Sequence, residues 1–288
     1  MSQQEEQIIW SNTDYPYACL LDVERTEAFR KAIQKVVKPG DIVVEVGAGT
    51  GILTLFAAEA GAAKVYSVEI DPLLVTYLRR TVAASKHKNV IEIIEGNALD
   101  INLPTNVGVV IAELIETGLM DEMQVSVMNA LHKKGIIGAN TKVIPQTYQT
   151  NLELVNDGSV FYGHQIKAPQ HMWPYYNATQ NGWHSVEVTP MSDKVKVTSV
   201  DFRKSNNNQV VNKVLEFKAT RDDKPVNAVR MSGVLTLTDG VELTAANSIN
   251  GDKILSLDSN AQVLGDTARL HVQYKMGGGL ATLQAELI

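Results

Sequence analysis

Apolar positions along the first half of the chain alternate between two rhythms. Nearly continuous apolar runs at 41–46, 64–68, 90–94 and 107–112 predict short strands covered on both faces, as a parallel sheet requires. Between them, apolar residues return every three to four positions at 24–37, 50–60, 72–85 and 121–133, which predicts amphipathic helices. The punctuation agrees: Pro39-Gly40, Gly61 and Gly135 stop helices. Asp71-Pro72 starts one, because the aspartate can accept from orphan amides and proline suits the first helical turn. Helical patterns alternating with short apolar runs read as βαβ units.

Beyond about Ile144 the period changes to two. Alternating segments at 148–155, 194–202, 213–219, 232–238, 241–245, 253–257, 268–274 and 281–287 predict an antiparallel barrel or sandwich. Asp239-Gly240, between two of these runs, suits a tight hairpin turn. The expected organisation is therefore an α/β domain over 1–145 and a β domain over 146–288, meeting at Val143-Ile144-Pro145 without a linker.

Composition narrows the partners. The chain has 288 residues, enough for two cores, and a formal net charge of -6 with a pI near 5.6. Without a basic run there is no footprint for nucleic acid phosphates; a cationic substrate fits better. No apolar run is long enough to span a membrane, and Cys19 has no second cysteine to pair with, which suggests a structural thiol in a cytoplasmic protein. The six histidines show no metal-ligand spacing, so no metal is expected.

The stretch VVEVGAGTGIL, from Val43 to Leu53, carries the first candidate chemistry. Gly47, Gly49 and Gly51 fall between a strand and a helix, where absent side chains let backbone amides approach a ligand. The third glycine comes one residue too early for a dinucleotide fingerprint, and Ile52 stands where that glycine belongs. Glu45 precedes the loop; a carboxylate there disfavours a pyrophosphate and suits an ammonium or sulfonium, as in S-adenosylmethionine. Glu69 ends the second strand, where it can accept from two ribose hydroxyls, with Ile70 beside it. Asn97 and Ala98, after the third strand, are candidates for the adenine edge, although Gly96-Asn97-Ala98 also reads as a simple turn.

A second feature follows the fourth strand. Glu113 and Glu122 frame the segment ELIETGLMDE, and both could face a pocket at the carboxyl ends of the strands. Two carboxylates suit the planar fork of a guanidinium, so they could hold one nitrogen in line with a sulfonium methyl. Spacing alone is met as well by Glu122 lying favourably at a helix start, with Glu116 facing solvent.

With these residues on the page, the region from Asp22 to Leu154 resembles the protein arginine methyltransferases. VVEVGAGTGILTLFAAEAGAAKV followed by SVEID is similar to their cofactor loop and ribose acid, NLP at Asn102 to Pro104 is similar in place, and DVERT, from Asp22 to Thr26, is similar to the helix that precedes their fold. The resemblance implies a Rossmann-like S-adenosylmethionine-dependent methyltransferase domain followed by a β-barrel. It implies that Arg25 contacts the cofactor carboxylate and that Glu113 and Glu122, nine positions apart, are the double glutamate holding the acceptor. Departures accompany it. Glu116 is an extra acid in the loop, no Thr-His-Trp occurs and the similar segment reads SING from Ser248 to Gly251, and Leu99 then Asp100 stand where the family has a glutamate.

The family's dimerisation arm could correspond to 160–186, where Phe161, Tyr162, Trp173, Tyr175, Tyr176 and Trp183 concentrate, which makes a homodimer possible. These aromatics would equally cap the barrel core. The segment from Ile8 to Tyr17, with Trp10 and Tyr15, is a candidate lid. The expectation is a methyltransferase acting on a guanidino or amine nitrogen, in a protein or a small molecule. Two alternatives stay open: a base methylase, which would need the Asn-Pro-Pro-Tyr type motif where AELI stands, and a silent binding module that keeps the fold.

Overall fold

The structure, a computed structural model, describes residues 10–172, 186–244, 248, 250–257 and 265–288. The chain forms two compact units, Met1–Glu113 with Ala130–Ile144, and Leu114–Asn129 with Pro145–Ile288.

The first unit begins with a single 3₁₀ turn, Trp10–Asn12, then helices α1 (Tyr15–Leu21) and α2 (Val23–Val36). Strand β1 (Ile42–Val46), helix α3 (Ile52–Glu59), β2 (Lys64–Glu69), α4 (Pro72–Ala84), β3 (Ile91–Glu95) and β4 (Val109–Ala112) follow the predicted alternation. Helix α5 (Gln124–Lys133), of which the part from Ala130 onward belongs to this unit, leads to β5 (Lys142–Ile144). All five strands are parallel, in the order β3-β2-β1-β4-β5. Chain direction across the sheet reverses between β1 and β4, and ligands in open α/β sheets bind at such a switch, beyond the carboxyl ends of the strands. Val43, Val44, Val65, Val109, Val110 and Ile111 are fully buried, as strands covered on both faces must be. Strand β5 occupies residues read from sequence as a junction, because three residues are too few to display a period.

Helix α5 begins three residues later than its periodicity predicts. Within the second unit, the carbonyls of Leu119 and Met120 accept from the amides of Gly277 and Gly279, and Leu119 has φ of 58°. That backbone is committed to another partner and cannot close helical turns.

The second unit is antiparallel. Strand β6 (Thr147–Asp157) is followed by a short hairpin, β7 (Val160–Phe161) with β8 (His164–Gln165), then β9 (Gln170–Met172), β10 (Val188–Pro190), β11 (Val195–Asp201) and β12 (Val210–Lys218). Strands β13 (Ala228–Thr238), β14 (Val241–Thr244), β15 (Asp252–Ser256), β16 (Thr267–Lys275) and β17 (Gln284–Leu287) complete it. One sheet runs β10-β6-β13-β15-β9, with β11 also on β6 and β14 on β13, and a second runs β12-β16-β17. Phe202, Phe217, Met231, Leu237, Leu270 and Tyr274 are fully buried in this curled domain. Asp239 and Gly240 make the expected turn, with Gly240 at φ 71°.

Of the proposed arm, β7 to β9 are seen, with β9 paired to β15, whereas Trp173, Tyr175, Tyr176 and Trp183 lie outside the described residues. No helix among the described residues is long and apolar enough to cross a membrane.

Candidate active site

The glycine loop turns from β1 into α3 through three left-handed residues, Gly47 at φ 74°, Gly49 at 52° and Gly51 at 87°. Its amides are largely engaged within the protein. Gly47 and Ala48 both donate to the Val68 carbonyl, at 3.1 and 3.0 Å, and Gly51 donates to the Ala48 carbonyl at 2.8 Å. The expectation that these amides wait for a ligand is corrected to this extent: the loop offers curvature and room rather than a nest of free donors. At Gly51 a Cβ would stand 2.4 Å from Leu78 Cδ1, so a side chain there has no space. At Gly49 a Cβ would meet nothing within 4 Å, so this glycine leaves open space above the loop.

Glu69 fastens that loop to β2. Its Oε2 accepts from the Gly49 amide at 2.7 Å, and its Oε1 accepts from the amides of Ile70 and Asp71, each at 2.9 Å. The Glu69 carbonyl accepts from Gly96 at 2.9 Å, which brings the corner after β3 beside the same carboxylate. In that corner Asn97 Oδ1 accepts from the Leu99 amide at 2.9 Å, an Asx turn, and Ala98 is buried. Asp71 was read from sequence as a helix cap only. Its Oδ1 does accept from Leu73 and Leu74, but its Oδ2 also accepts from the Ser11 amide at 2.8 Å, tying the candidate lid next to Glu69. Ile8 and Ile9 of that lid lie outside the described residues.

Glu45 is buried. It is 1% exposed, held between β1 and α3, where the Thr54 hydroxyl donates to its Oε2 and in turn contacts the Ser67 hydroxyl at 2.7 Å. Its Oε1 is buried without a hydrogen-bond partner. Burial pushes the Glu45 carboxyl up to about 8; the Thr54 hydrogen bond opposes this, and repulsion from Glu69 adds to it. At neutral pH this group is therefore mostly protonated, so the argument from a fixed negative charge before the loop does not hold in the unliganded site.

Arg25 stands near the start of α2, where Asp22 Oδ1 accepts its amide at 2.9 Å. The guanidinium is buried over the Phe29 ring, 5.3 Å from its centroid, and donates to Glu113 Oε2 in an ion pair. Burial works most strongly against its charge, but Glu113, Cys19 and Tyr15 outweigh that and raise the Arg25 pKa. Arg25 Nε has no hydrogen-bond partner. Three carboxyls, Glu45, Glu69 and Glu113, thus gather with one guanidinium in the first unit. With Glu45 mostly protonated, Glu69 and Glu113 still outnumber the one guanidinium, so the group suits a cationic guest better than a further anion.

Glu122 belongs to the second unit and is half-buried, two residues before α5. The loop before it is attached to the β domain. Thr117 donates its hydroxyl to the carbonyls of Asn250 and Gly251, the latter at 2.9 Å, so the SING segment is its anchor. Glu116 is buried and ion-paired to Lys253, which corrects the reading of a solvent-facing side chain. Lys253 carried no sequence signal, since it lies on a strand remote in the chain from the acid it meets.

Comparison with known proteins bears on the domain and the fold. Residues 21–162 match the TRM5/TYW2 methyltransferase domain. The uncharacterized protein MJ1452 of Methanocaldococcus jannaschii is 30% identical over 274 residues, covering 94% of this chain and 95% of that protein. The histone-arginine methyltransferase CARMER of Drosophila persimilis is 31% identical over 172 residues, 59% of this chain but 30% of CARMER, so the shared region is a minority of that enzyme. In fold, the chain is similar to the Trypanosoma brucei PRMT1 enzyme-prozyme heterotetrameric complex with AdoHcy, with a TM-score of 0.73 at 18% identity over 96% of this chain and 98% of that one. The chain belongs to one family with MJ1452; it is an S-adenosylmethionine-dependent methyltransferase that resembles the arginine methyltransferases, and S-adenosylmethionine is its co-substrate.

Proposed function

We propose that this methyltransferase transfers the methyl group to a guanidino nitrogen of arginine, protein-bound or free, or to a related small guanidine or amine. The observation that carries this reading is that two carboxylates, Glu69 and Glu113, gather with the single guanidinium of Arg25, which suits a cation better than a further anion. The residues fit the cofactor: Gly49 leaves a space that a Cβ would fill, and Glu45 Oε1 and Arg25 Nε are buried polar atoms still lacking partners. When bound, S-adenosylmethionine supplies an electrophilic sulfonium methyl.

Each residue then has a task. Arg25 holds the cofactor's carboxylate, Glu69 and Ile70 its ribose, Asn97 and Ala98 its adenine edge, and Gly47, Gly49 and Gly51 give it room, with Glu45 beneath. Glu113 and Glu122 accept hydrogen bonds from the acceptor, orient one nitrogen and balance the positive charge, which is positioning rather than proton abstraction. Glu113→Gln keeps an oxygen for Arg25 while removing the negative charge, and Glu122→Gln does the same for the second carboxylate. Labelled cofactor, offered with peptide and small-molecule extracts, tests the reading. Transfer to a guanidine or amine that falls about 100-fold or more in both variants, with cofactor affinity nearly unchanged, supports it. Wild-type turnover in either variant removes that residue's role, and failure to bind S-adenosylmethionine at millimolar concentration removes the whole proposal.

A further inference from the structure

Among the described residues of the second unit Lys253 is the most deeply buried cation, with a side chain 2% exposed on strand β15. In register it stands opposite Met231 of β13 and His171 of β9, so its backbone is held on both sides. Its ammonium reaches two acids of one loop, donating to Glu116 Oε2 and to Asp121 Oδ2, the latter at 2.6 Å. The acids are themselves joined, because the Asp121 amide donates to Glu116 Oε1 at 3.0 Å. Asp121 Oδ1 accepts from the Leu280 amide at 2.8 Å. Every oxygen of the two carboxylates therefore has a partner, and Lys253 closes the loop from Glu116 to Asp121 into a ring.

Burying a lysine with two carboxylates is a poor way to gain stability, since apolar residues of similar volume do as well or better. What such a cluster can provide is a single arrangement of the backbone that carries it. The next residue after Asp121 is Glu122. We propose that Lys253 is a positioning residue for Glu122: by binding Glu116 and Asp121 together it fixes the course of the loop that presents the Glu122 carboxylate.

This inference rests on the role given to Glu122 above. Further ties converge on the same loop: the Gly118 amide donates to the Tyr148 hydroxyl at 3.1 Å, and Thr117 is bound to the carbonyls at 250 and 251. Lys253 differs from these ties in joining the two ends of the loop. The charges around Glu116 are Lys253 and Asp121, with Tyr148 and Tyr274 facing it and His171 facing the lysine and Asp121. Burial pushes Glu116 up to about 7, which Lys253 opposes, so removing the lysine leaves two acids without a counter-charge.

The test compares wild type, Lys253→Met, Glu116→Gln and Glu122→Gln by amide hydrogen exchange, cofactor calorimetry and methyl transfer to a short arginine-containing peptide and to free L-arginine. For Lys253→Met the amides of Gly118, Leu119 and Asp121 should exchange about 10-fold faster, while amides of β1 and α3 stay as in wild type. Turnover should fall about 10- to 100-fold with cofactor affinity within about twofold, the cost of a misplaced group rather than a lost fold. Unchanged loop exchange in Lys253→Met overturns the proposal whether or not either probe is methylated. A loosened loop with wild-type kcat and KM overturns it as well. Should Lys253→Met fail to fold, Glu116→Gln decides: the protection factors of the loop amides, with the intrinsic pH dependence of exchange divided out, should change around pH 7 in wild type and stay constant in the variant, and constant protection factors in wild type overturn the proposal. Wild-type turnover in Glu122→Gln strikes the catalytic reading instead, and the exchange data separate the two failures.

Discussion

Arg25 donates to Glu113 across 88 residues of sequence, joining the first turn of α2 to the end of β4 in an ion pair whose guanidinium is buried. Both groups lie at the carboxyl edge of the sheet beside the switch between β1 and β4. Breaking a buried pair leaves a charge without compensation, which costs more than the pair contributes. Arg25→Met should therefore lower unfolding stability by about 3–5 kcal/mol, and adding Glu113→Gln should restore part of it. Urea denaturation of the single and double variants measures this; a loss no larger than that of an exposed pair would show that the contact carries no such weight.

Gly49 and Gly51 separate two uses of glycine. Gly51→Ala would place a methyl against Leu78 and hold φ at 87°, so the fold should lose stability and Leu78→Ala should relieve part of the loss. Gly49→Ala meets no atom, and its cost to folding is the left-handed backbone alone, about 1 kcal/mol. Calorimetry should nonetheless show weaker S-adenosylmethionine binding for Gly49→Ala, since the methyl enters the open space. Equal cofactor affinity in that variant and wild type would remove the loop from the site.

Glu45 makes stability depend on pH. Its folded value of about 8 lies above the ordinary 4.5, because burial disfavours the carboxylate. The folded state therefore holds a proton that the unfolded state has released. Stability from this group is full below the ordinary value and is lost as pH rises through about 8, with a slope approaching about 1.4 kcal/mol per pH unit inside that window. Urea midpoints of wild type and Glu45→Gln should converge or cross as pH rises from 5 to 9. A constant difference would show that Glu45 titrates normally.

Asp71 serves α4 and the segment at Ser11 together. Asp71→Ala should cost about 1 kcal/mol for the lost cap. It should also make the chain before α1 more accessible to proteases, whereas a cap alone would leave that cleavage unchanged. Mass mapping of limited digests distinguishes the two outcomes.

Much of the fold was legible in the residues because it rests on local rules. Strands β1 to β4 announced themselves as apolar runs, the helix start at Asp71-Pro72 and the turn at Asp239-Gly240 by their chemistry, and the loop from Gly47 to Gly51 by its place between strand and helix. Helix α5 was misjudged at its start because the stretch from Leu119 to Met120 spends its carbonyls on glycine amides more than 150 residues away, at 277 and 279.

By itself the sequence determined the elements from α2 to β4, the change of period near Ile144, the place of the glycine loop and of Glu69, and the spacing of the glutamates at 113 and 122, since each depends on one stretch of chain. Tertiary structure alone decided that Arg25 meets Glu113, that Glu45 is buried enough to keep its proton, and that Lys253 reaches Glu116 and Asp121 over 137 and 132 residues. Charge pairing and proton affinity depend on distance and burial in space, and neither quantity has a period that a chain of residues can display.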